Sequence, residues 1–482
     1  MKRLTLMFAL TVMTGLLAIG QSYPPDFDAY AAKVLKTFNV PGISVAIVKD
    51  GKVVLAKGYG VKKLGAPDPV DSRTNFGIAS NTKAFTATAI AILVEEGKLK
   101  WEGRVIDYLP WFQLSDPYVT REMTIRDLLV HRSGLSLGAG DLLWWPPSAY
   151  NRKEIARRLR FIPLSTSFRS AYAYDNVLYT VAGEVIEAVS GLRWEDFIKT
   201  RIVDKVGMTH SSVRHSDAAA MQGNVAVTHA KVNGKVVPIT PFASDNTNPA
   251  GGINSNAEDM AKWMICQLDS GKLSDGSRLF SPRTTRQLWG LVTPMGTGNA
   301  PAQLAPLKTN FEGYALGFGV RDYRGMKLVS HTGGLPGYVS LVAMIPEIHA
   351  GVAVLTNMES SGAFYSIGYH ALDYYLGQQF DWIGGFAWAE ARGDSITAVA
   401  EANISVLRDP ASKPSLPLEK YVGTYTDAWY CDVKIEQKNG GLAISMVPTA
   451  ELSGALEHYQ FDTFIAHWND RELRADAFVT FS

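Results

Sequence analysis

The feature that most constrains the fold is a long uncharged stretch that follows a serine and a lysine. The segment Gly77-Ile78-Ala79-Ser80-Asn81-Thr82-Lys83 leads into a mostly apolar run from Ala84 to Val94, and the next charge is Glu95. A helix that is apolar on all sides has to be buried in a large domain. From Ser80 to Glu96 such a helix would be about 25 Å long, enough to cross a domain core.

Ser80 and Lys83 are three residues apart, so the pattern predicts that they are neighbours on one face of this helix. Free backbone N–H groups at a helix start stabilise a developing oxyanion. Burial lowers the pKa of a lysine, so part of the population would be a neutral amine able to accept the serine proton. On its own, an S-x-x-K pattern is more often an N-cap serine beside a snorkelling lysine.

Residues 1–20 are predicted to form a signal peptide. The basic Met1-Lys2-Arg3 precedes an apolar stretch from Leu4 to Ile19, and Ala18-Ile19-Gly20 provides a small-x-small cleavage site. No cysteine stands directly after the apolar stretch. No later run reaches the roughly 18 uncharged apolar residues of a membrane span. We therefore expect a periplasmic or secreted protein without a stable membrane anchor.

Charge and cysteine usage exclude several classes. The formal net charge of +1 over 482 residues argues against nucleic acid or an anionic membrane as partner. Cys266 and Cys431 are the only cysteines and are far apart, so no disulfide is expected. His210 and His215 lack a metal-ligand pattern and are predicted to lie in a surface loop. We expect neither a metal nor a cofactor.

The order of the predicted elements indicates an α+β fold. Two strands, Pro41 to Val48 and Val53 to Ala56, are predicted around an Asp-Gly turn. Helices follow, and a buried strand is predicted from Val339 to Ile345. The predicted helices are Ile125 to Val130, Tyr179 to Val189 and Asn256 to Leu268. Strands, helices and strands in this order favour an antiparallel sheet built from both chain ends, flanked by helices and joined to a mostly helical region.

The C-terminal part has a different pattern. Residues 381–417 are predicted to be a helical connector that ends in a Pro/Ser-rich linker, and they follow a main domain at residues 24–380. Residues 418–482 alternate apolar and polar residues, which predicts a small all-β domain. The sequence stops within a predicted strand at Phe478 to Ser482, so we expect this domain to be truncated.

Two further segments carry groups that could assist a reactive serine. Tyr174-Asp175-Asn176 precedes a predicted helix and offers a phenol and an amide from one turn. His331-Thr332-Gly333-Gly334 is predicted to follow a strand from Lys327 to Ser330, and its glycines would let the backbone approach a ligand closely. Each segment alone is more often a helix cap or a turn.

Together and in this order, the three segments resemble the motifs of the serine β-lactamase and penicillin-binding-protein superfamily. The match is closest to the class C β-lactamase-like branch, which includes family VIII esterases and D-amino-acid peptidases. S-x-x-K corresponds to Ser80 and Lys83, Y-x-N to Tyr174 and Asn176, and K/H-[ST]-G begins at His331. The resemblance implies a β-lactamase/transpeptidase-like fold from about residue 27 to 377. The C-terminal part resembles the lipocalin-like domain that some members append.

The resemblance also implies roles for individual residues. Ser80 would be the acylated nucleophile, and Lys83 and Tyr174 would relay protons, with the identity of the base left open. Asn176 would hold the acyl amide of the substrate. His331, Thr332 and Gly333 would line the substrate site. The backbone N–H groups of Ser80 and Gly334 would form the oxyanion hole. No cofactor is implied, and the partner would be a small ester, amide, β-lactam or D-amino-acid peptide.

His331 departs from the lysine that many β-lactamases have at this position. An imidazole of unperturbed pKa, about 6.5, is mostly neutral at pH 7, whereas a lysine is a cation. We therefore expect a weaker anchor for substrate carboxylates and a preference for short-chain esters over penicillins.

Several alternatives stay open at the level of sequence. The protein could be a penicillin-binding or sensor protein that is acylated but does not turn over, or a carbohydrate- or peptidoglycan-binding protein, for which the only indication is the number of aromatic residues. Gly134-Leu135-Ser136-Leu137-Gly138 fits the G-x-S-x-G elbow of α/β-hydrolases, but a predicted helix precedes it and a loop follows it, so Ser136 is expected to be structural. Trp144 and Trp145 could line the mouth of the cleft or pack within a loop.

Overall fold

The computed structural model describes residues 23–217 and 223–482. The predicted signal peptide at residues 1–20 lies outside the described residues. Within the described ranges, no helix is both long and apolar enough to span a membrane.

The main body is built from helices and strands that alternate in blocks. The α-helices are α1 (Phe27–Thr37), α2 (Thr82–Glu95), α3 (Val105–Tyr108), α4 (Pro117–Glu122), α5 (Arg152–Arg158), α6 (Val177–Ser190), α7 (Trp194–Ile198), α8 (Asp204–Val206), α9 (Asn248–Gly251), α10 (Ala257–Leu268), α11 (Pro282–Leu288), α12 (Ser361–Tyr375) and α13 (Trp382–Val406). The strands are β1 (Gly42–Lys49), β2 (Lys52–Gly60), β3 (Phe76–Gly77), β4 (His229–Val232), β5 (Lys235–Pro238), β6 (Asn254–Ser255), β7 (Thr293–Met295), β8 (Glu312–Tyr314), β9 (Gly319–Tyr323), β10 (Met326–Leu335), β11 (Tyr338–Ile345) and β12 (Ala350–Thr356).

An eight-stranded antiparallel sheet organises the main domain, in the order β2-β1-β12-β11-β10-β9-β8-β7. Strand β1 from the N-terminal end pairs with β12 in the register Ile47 to Val352. The prediction of a sheet built from both chain ends is therefore confirmed.

The two faces of the sheet are buried against different helices. On one face, Val45 and Ile47 of β1 pack in a cluster with residues of α1, α12 and α13. On the other face, Ala46 and Val48 pack in a larger cluster that includes α2, α6 and α10. Alternate residues of a strand point to opposite faces, so a strand buried on both sides must be apolar throughout, as β1 is.

The central helix follows the predicted pattern. Every residue from Thr82 to Leu93 is buried, and Lys83 is fully buried. A 3₁₀ turn at Ala79–Asn81 leads into the helix. Ser80 lies on this turn, two residues before the first α-helical residue. The predicted helices before Gly191 and after Asn256 are also present as α6 and α10.

One predicted helix and one predicted turn differ from the structure. The segment Ile125 to Val130 forms only a 3₁₀ turn, at Asp127–Leu129, where the Asp127 carboxylate is bonded to Thr124, Arg132 and Arg169. His331-Thr332-Gly333-Gly334 does not follow a strand but lies within β10, paired with β11. Glycines usually end a strand pattern, but here they continue it because the neighbouring backbone comes close.

The C-terminal part forms an all-β sheet, as predicted. Its strands are β13 (Gly423–Asp427), β14 (Cys431–Lys438), β15 (Gly441–Met446), β16 (Ser453–Gln460), β17 (Thr463–Trp468) and β18 (Ala477–Thr480), and each pairs with the next. The sheet is curved, as the distance between its two edges indicates: the ring of Phe481, after β18, lies 5.5 Å from the ring of Tyr425 on β13. The more specific assignment to a lipocalin-like domain stays a prediction.

The C-terminal sheet contacts the loop that precedes α5. The N–H group of Ala149 donates to the carbonyl of Pro448 at 2.9 Å, and the Tyr150 hydroxyl donates to the carbonyl of Tyr430. Leu142 packs into the apolar core of the C-terminal sheet. The neighbouring Trp145 lines an apolar cavity of about 400 Å³ on the inner face of that sheet.

Candidate active site

Ser80 is held by a turn that is bonded to the sheet on one side and to the segment before β6 on the other. The Asn81 amide donates to Ser340 Oγ at 2.8 Å, and Ser340 Oγ donates to the carbonyl of Ile78 at 2.8 Å. On the other side, Ile78 N–H donates to the carbonyl of Ile253. Ala79 has a positive φ of 50°, which is unfavourable for a residue with a side chain. These bonds hold the strained residue and so fix the position of the Ser80 hydroxyl.

Gly333 lets strand β10 approach this turn. A Cβ atom at Gly333 would lie 2.2 Å from the carbonyl oxygen of Ile78 and 2.5 Å from Ser340 Oγ. Only glycine fits at this distance. At Gly334 a Cβ atom would meet nothing within 4 Å, because that residue faces the open cleft.

Lys83 lies behind the wall of the cleft and contacts three oxygen atoms. Its Nζ atom lies 3.0 Å from Ser80 Oγ, 2.8 Å from Asn176 Oδ1 and 3.1 Å from the carbonyl oxygen of Ala250. The two carbonyl oxygens can only accept, so they use two N–H groups. In the neutral amine, the remaining position is a lone pair directed at Ser80. Burial lowers the pKa of Lys83 to about 7, so a large fraction is a neutral amine near neutral pH.

Tyr174 is the second group in contact with Ser80. Its hydroxyl donates to Ser80 Oγ at 3.0 Å, and Lys83 Nζ lies 5.0 Å from the centre of its ring. Burial raises the pKa of the Tyr174 phenol well above its usual value. The phenol is therefore protonated at neutral pH and acts as a donor in the resting site.

The side chains of the segment Tyr174-Asp175-Asn176 make different contacts. Asp175 Oδ1 accepts a hydrogen bond from Leu178 N–H at 3.0 Å and so caps helix α6. Because Asp175 is the cap, the Asn176 amide is free to bond Lys83. Asp141 accepts a hydrogen bond from Trp144 Nε1 at 3.0 Å, and burial raises its pKa, an effect that the nearby Asn176 amide opposes. The structure thus contains both the cap and the reactive-site amide that the sequence offered as alternatives.

His331 lies on β10 with both ring nitrogens engaged. Nδ1 lies 2.5 Å from the carbonyl oxygen of Thr332, which can only accept, so Nδ1 has the proton. Nε2 then accepts from the Tyr314 hydroxyl, at 2.7 Å. Burial, together with the nearby Lys83 charge, lowers the pKa of His331 to about 3. His331 is therefore a neutral group at the edge of the cleft, as the sequence comparison with lysine anticipated.

These residues surround one cleft of about 470 Å³. Ser80, Tyr174 and Asn176 line the side formed by helices and their preceding turns, and His331, Thr332 and Gly334 line the side formed by β10. The remaining lining residues include Leu137, Trp144, Tyr172, His215, Thr247, Gly251, Met295, Glu312, Tyr314 and Tyr365. The structure brings every predicted site residue to this cleft or, for Lys83 and Gly333, directly behind its wall.

One sequence interpretation is wrong, and one open alternative is resolved. His215 does not lie in a surface loop: it is buried, lines the cleft and packs edge-on against Phe242. Burial lowers its pKa to about 4, so it is neutral. Of the tryptophan pair, Trp144 lines the cleft, whereas Trp145 faces the C-terminal cavity. No signal in the sequence separates the two rings, because their directions depend on the loop that follows Gly140.

Ser136 lacks the neighbouring groups that would activate a nucleophile, among the residues that the structure describes. Its hydroxyl lies 2.9 Å from Ser165 Oγ, and no basic side chain contacts it within the described ranges. A 3₁₀ turn precedes it and another, at Asp141–Leu143, follows it, so the strand and helix of a nucleophile elbow are missing here. Across residues 23–217 and 223–482, no group of three or more histidine, cysteine or acidic side chains could hold a metal ion.

The fold and the linked serine, lysine and tyrosine define a serine hydrolase. Residues 27–374 match the family model described as Beta-lactamase, and residues 407–482 match a domain of unknown function, DUF3471. The chain belongs to the Beta-lactamase family.

Individual relatives resemble most of the chain. It is 28% identical over 475 residues to the unguisins hydrolase ungD of Aspergillus violaceofuscus, covering 92% of this chain and 82% of that protein. It is 27% identical to protein flp of Staphylococcus aureus over 343 residues, which are 70% of this chain and 63% of that protein.

Solved structures with a similar fold include the two that follow. The octameric penicillin-binding protein homologue from Pyrococcus abyssi is 25% identical, with a TM-score of 0.64 and 94% of each chain covered. The D-amino acid amidase from Ochrobactrum anthropi is 20% identical, with a TM-score of 0.58, and the match covers 76% of this chain and 99% of that chain.

Proposed function

We propose that the protein hydrolyses small esters or amides through an acyl-enzyme on Ser80. The observation that carries this proposal is the contact of Ser80 Oγ with both Lys83 Nζ and the Tyr174 hydroxyl, each at 3.0 Å. A hydroxyl placed between a neutral amine and a phenol can lose its proton in one direction while a leaving group gains one from the other.

In this proposal the neutral Lys83 is the general base. The Ser80 oxygen attacks the substrate carbonyl carbon, and the Ser80 proton moves to Lys83. The bond to the leaving group then breaks as Tyr174 donates its proton, and Lys83 restores the proton of Tyr174. Water next attacks the acyl carbon as one of its protons moves to Lys83. The ester bond to Ser80 then breaks as Lys83 returns a proton to the Ser80 oxygen, and the acid product leaves. The pKa directions support these roles, because that of Lys83 falls to about 7 while that of Tyr174 rises.

The binding groups follow from the same cleft. Asn176 would contact the acyl side of the substrate, and the backbone N–H groups of Ser80 and Gly334 would stabilise the oxyanion. His331, Thr332 and Gly333 would form the wall along which the substrate lies. A neutral His331 supports a preference for substrates that do not depend on a carboxylate anchor, such as short-chain esters. The periplasmic or secreted location remains part of the proposal, as does the lipocalin-like character of the C-terminal sheet.

A substrate panel tests this proposal. Wild type and Ser80→Ala would be assayed with p-nitrophenyl esters of rising chain length, nitrocefin and D-alanyl peptides. We expect Ser80-dependent turnover of the short esters above that of nitrocefin. Equal ester turnover by both proteins would reject Ser80 as the nucleophile.

A second candidate is a penicillin-binding protein that is acylated but does not turn over. It is favoured by the similarity to the Pyrococcus abyssi penicillin-binding protein homologue over almost the whole chain. A stoichiometric burst with nitrocefin and no later steady state would select this candidate.

A further inference from the structure

A third part of the cleft wall is formed by Gly251 and His215, which both line the cleft. Gly251 is the last residue of α9 and has no side chain to fill the space beside the Ser80 turn. A Cβ atom at Gly251 would meet its nearest neighbours at 3.8 Å: the carbonyl carbon of Ala79, which is bonded to Ser80, and Cε1 and Nε2 of His215. This space, the Gly251 gap, therefore adjoins both the reactive serine and the edge of an imidazole.

The His215 imidazole is buried without a hydrogen-bond partner. Its exposed fraction is only 4%. The backbone N–H group of His215 donates to Asn248 Oδ1 at 3.3 Å, but within residues 23–217 and 223–482 neither ring nitrogen makes a hydrogen bond or an ion pair. The nearby Asp245 carboxylate is used elsewhere, because it accepts from the N–H group and the hydroxyl of Ser216, at 3.0 and 2.6 Å. Buried polar atoms are normally bonded, so an unpaired ring at a cleft indicates a place for a ligand.

Aromatic packing holds this ring in place. Phe242 packs edge-on against His215, with centroids 4.8 Å apart, and edge-on against Trp144, with centroids 5.9 Å apart. Trp144 Nε1 already donates to Asp141 Oδ1 at 3.0 Å, so the indole offers a ligand only an apolar surface. The imidazole is different: burial lowers its pKa to about 4, so near pH 7 it is neutral, with one N–H donor and one acceptor nitrogen.

The contacts of Lys83 relate the gap to the substrate. Lys83 Nζ bonds both Asn176 Oδ1, at 2.8 Å, and the carbonyl oxygen of Ala250, the residue before Gly251, at 3.1 Å. Asn176 is the proposed contact for the acyl side of the substrate. Because Asn176 and Ala250 bond the same amine, we assign the Gly251 gap to the acyl side as well.

We propose that the Gly251 gap and His215 form a side pocket that binds a hydroxyl group on the acyl part of the substrate. A hydroxyl can both donate and accept, so it can bond either tautomer of a neutral imidazole. The inference rests on the proposed acyl-enzyme function, and it adds the substrate class: esters or amides of short hydroxy acids. An alkyl group of the same size would displace water from the imidazole nitrogen without replacing its hydrogen bond.

Ester pairs that differ by a hydroxyl in place of a methyl group test the proposal. The p-nitrophenyl esters are lactate with isobutyrate, and 3-hydroxybutanoate with 3-methylbutanoate, with both enantiomers of each hydroxy ester. The kcat/KM ratio of a pair in a variant is divided by the ratio in wild type, so that intrinsic reactivities cancel. His215→Phe keeps a ring against Phe242 and removes both nitrogens. We expect it to lower the hydroxy preference about tenfold for at least one hydroxy ester, which is about 1.4 kcal/mol, the size of one hydrogen bond.

Two further variants separate a hydrogen bond from a change in packing. His215→Gln supplies an amide in place of the ring nitrogens and should restore part of the preference that His215→Phe loses. His210 is an exposed histidine on the segment before His215, and His210→Phe should keep the wild-type ratio. Equal ratios in wild type and in folded His215→Phe, for every pair and enantiomer, would overturn the proposal.

Gly251→Leu tests the gap itself. The φ angle of Gly251 lies outside the left-handed region, so the backbone accepts a residue with a side chain. A leucine would cover the edge of the His215 ring, and we expect the hydroxy preference to fall as it does in His215→Phe. Folded Gly251→Leu with the wild-type ratio would contradict the proposed pocket.

A spectroscopic measurement makes the inference independent of turnover. In the Ser80→Ala background, nitrogen-15 NMR of the histidine side chains would follow titration with 3-hydroxybutanamide or 3-methylbutanamide, and His215→Gln would identify the His215 signals. A shift of the His215 ring nitrogens with the first amide alone supports the pocket, and a shift with neither amide or an equal shift with both rejects it. Failure of the acyl-enzyme proposal would appear differently, as ester hydrolysis that does not need Ser80.

Discussion

The two sides of the cleft are built on different principles. On the helix side, Ser80, Lys83, Tyr174 and Asn176 form one connected network in which each polar atom depends on another. On the strand side, the two ring nitrogens of His331 are satisfied by the Tyr314 hydroxyl and by the carbonyl of Thr332 on the same strand. In the proposed mechanism the helix side supplies the nucleophile, the proton relay and one substrate contact, and the strand side supplies the Gly334 oxyanion donor and most of the wall along which the substrate lies. Changes on the first side should affect all substrates, and changes on the second should affect their ranking.

The largest expected effect tests the helix side directly. Ser80→Ala removes the proposed nucleophile and should lower kcat by about 10⁴-fold or more for every ester, since loss of a nucleophile in comparable sites costs this much. Mass spectrometry after a fluorophosphonate probe should find the adduct on Ser80 in wild type. An adduct on Ser136 would reverse the assignment of the two serines.

Tyr174→Phe removes the phenolic proton but keeps the ring. We expect kcat to fall by about 10² to 10⁴-fold, the usual contribution of a general acid or base. The fall should be smaller for esters with a good leaving group such as p-nitrophenolate than for alkyl esters, because the former need no proton. An equal fall for both leaving groups would argue against protonation by Tyr174.

The pH dependence distinguishes the two candidate bases. If the neutral amine of Lys83 is the base, kcat/KM rises with pH through the Lys83 pKa of about 7 and is level above it. Between pH 5 and pH 7 the rise should be about 50-fold, because the neutral fraction increases from about 1% two units below the pKa to about one half at the pKa. If Tyr174 were the base, its raised pKa would make the rate continue to increase above pH 10.

A substitution on the strand side should change preference more than rate. His331→Lys restores the cation that many β-lactamases have, and we expect the kcat/KM ratio of a carboxylated β-lactam to p-nitrophenyl butyrate to rise by about tenfold. Circular dichroism would confirm that the buried site accepts the longer side chain. An unchanged ratio in a folded variant would refute the role assigned to this position.

The smallest effect is expected at the second serine. Ser136 is bonded only to Ser165 among the described side chains, outside both sides of the cleft. Ser136→Ala should therefore leave kcat/KM within about twofold and stability within about 0.5 kcal/mol. A loss comparable to that of Ser80→Ala would break the comparison, because it would place chemistry outside the network.

The sequence predicted the helix side better than the strand side. Ser80, Lys83, Tyr174 and Asn176 belong to short motifs that lie at helix starts, where spacing along the chain fixes which side chains are neighbours. Glu312, Tyr314 and His215 have no such motif. They reach the cleft because the sheet and the loop after Met208 bring distant segments together, and a single sequence does not contain those distances.

Local patterns also misled where tertiary contacts replaced regular structure. The segment after Thr124 reads as a helix, but the Asp127 carboxylate bonds to Thr124 and to two arginines and holds a 3₁₀ turn instead. Gly333 and Gly334 read as a turn, but they continue β10 because the turn around Ser80 lies against the strand. In both places a long-range contact outweighs a local preference.

The short turn at Asp141–Leu143 and the tryptophan after it send side chains to four surroundings. Asp141 lies near Asn176, Leu142 enters the C-terminal sheet, Leu143 enters the main core, and Trp144 forms the wall of the cleft. We therefore expect that cutting the chain in the linker at residues 407–417 would expose Leu142 to water. Because Trp144 lies two residues after Leu142, removal of the appended sheet should also change the shape of the substrate pocket.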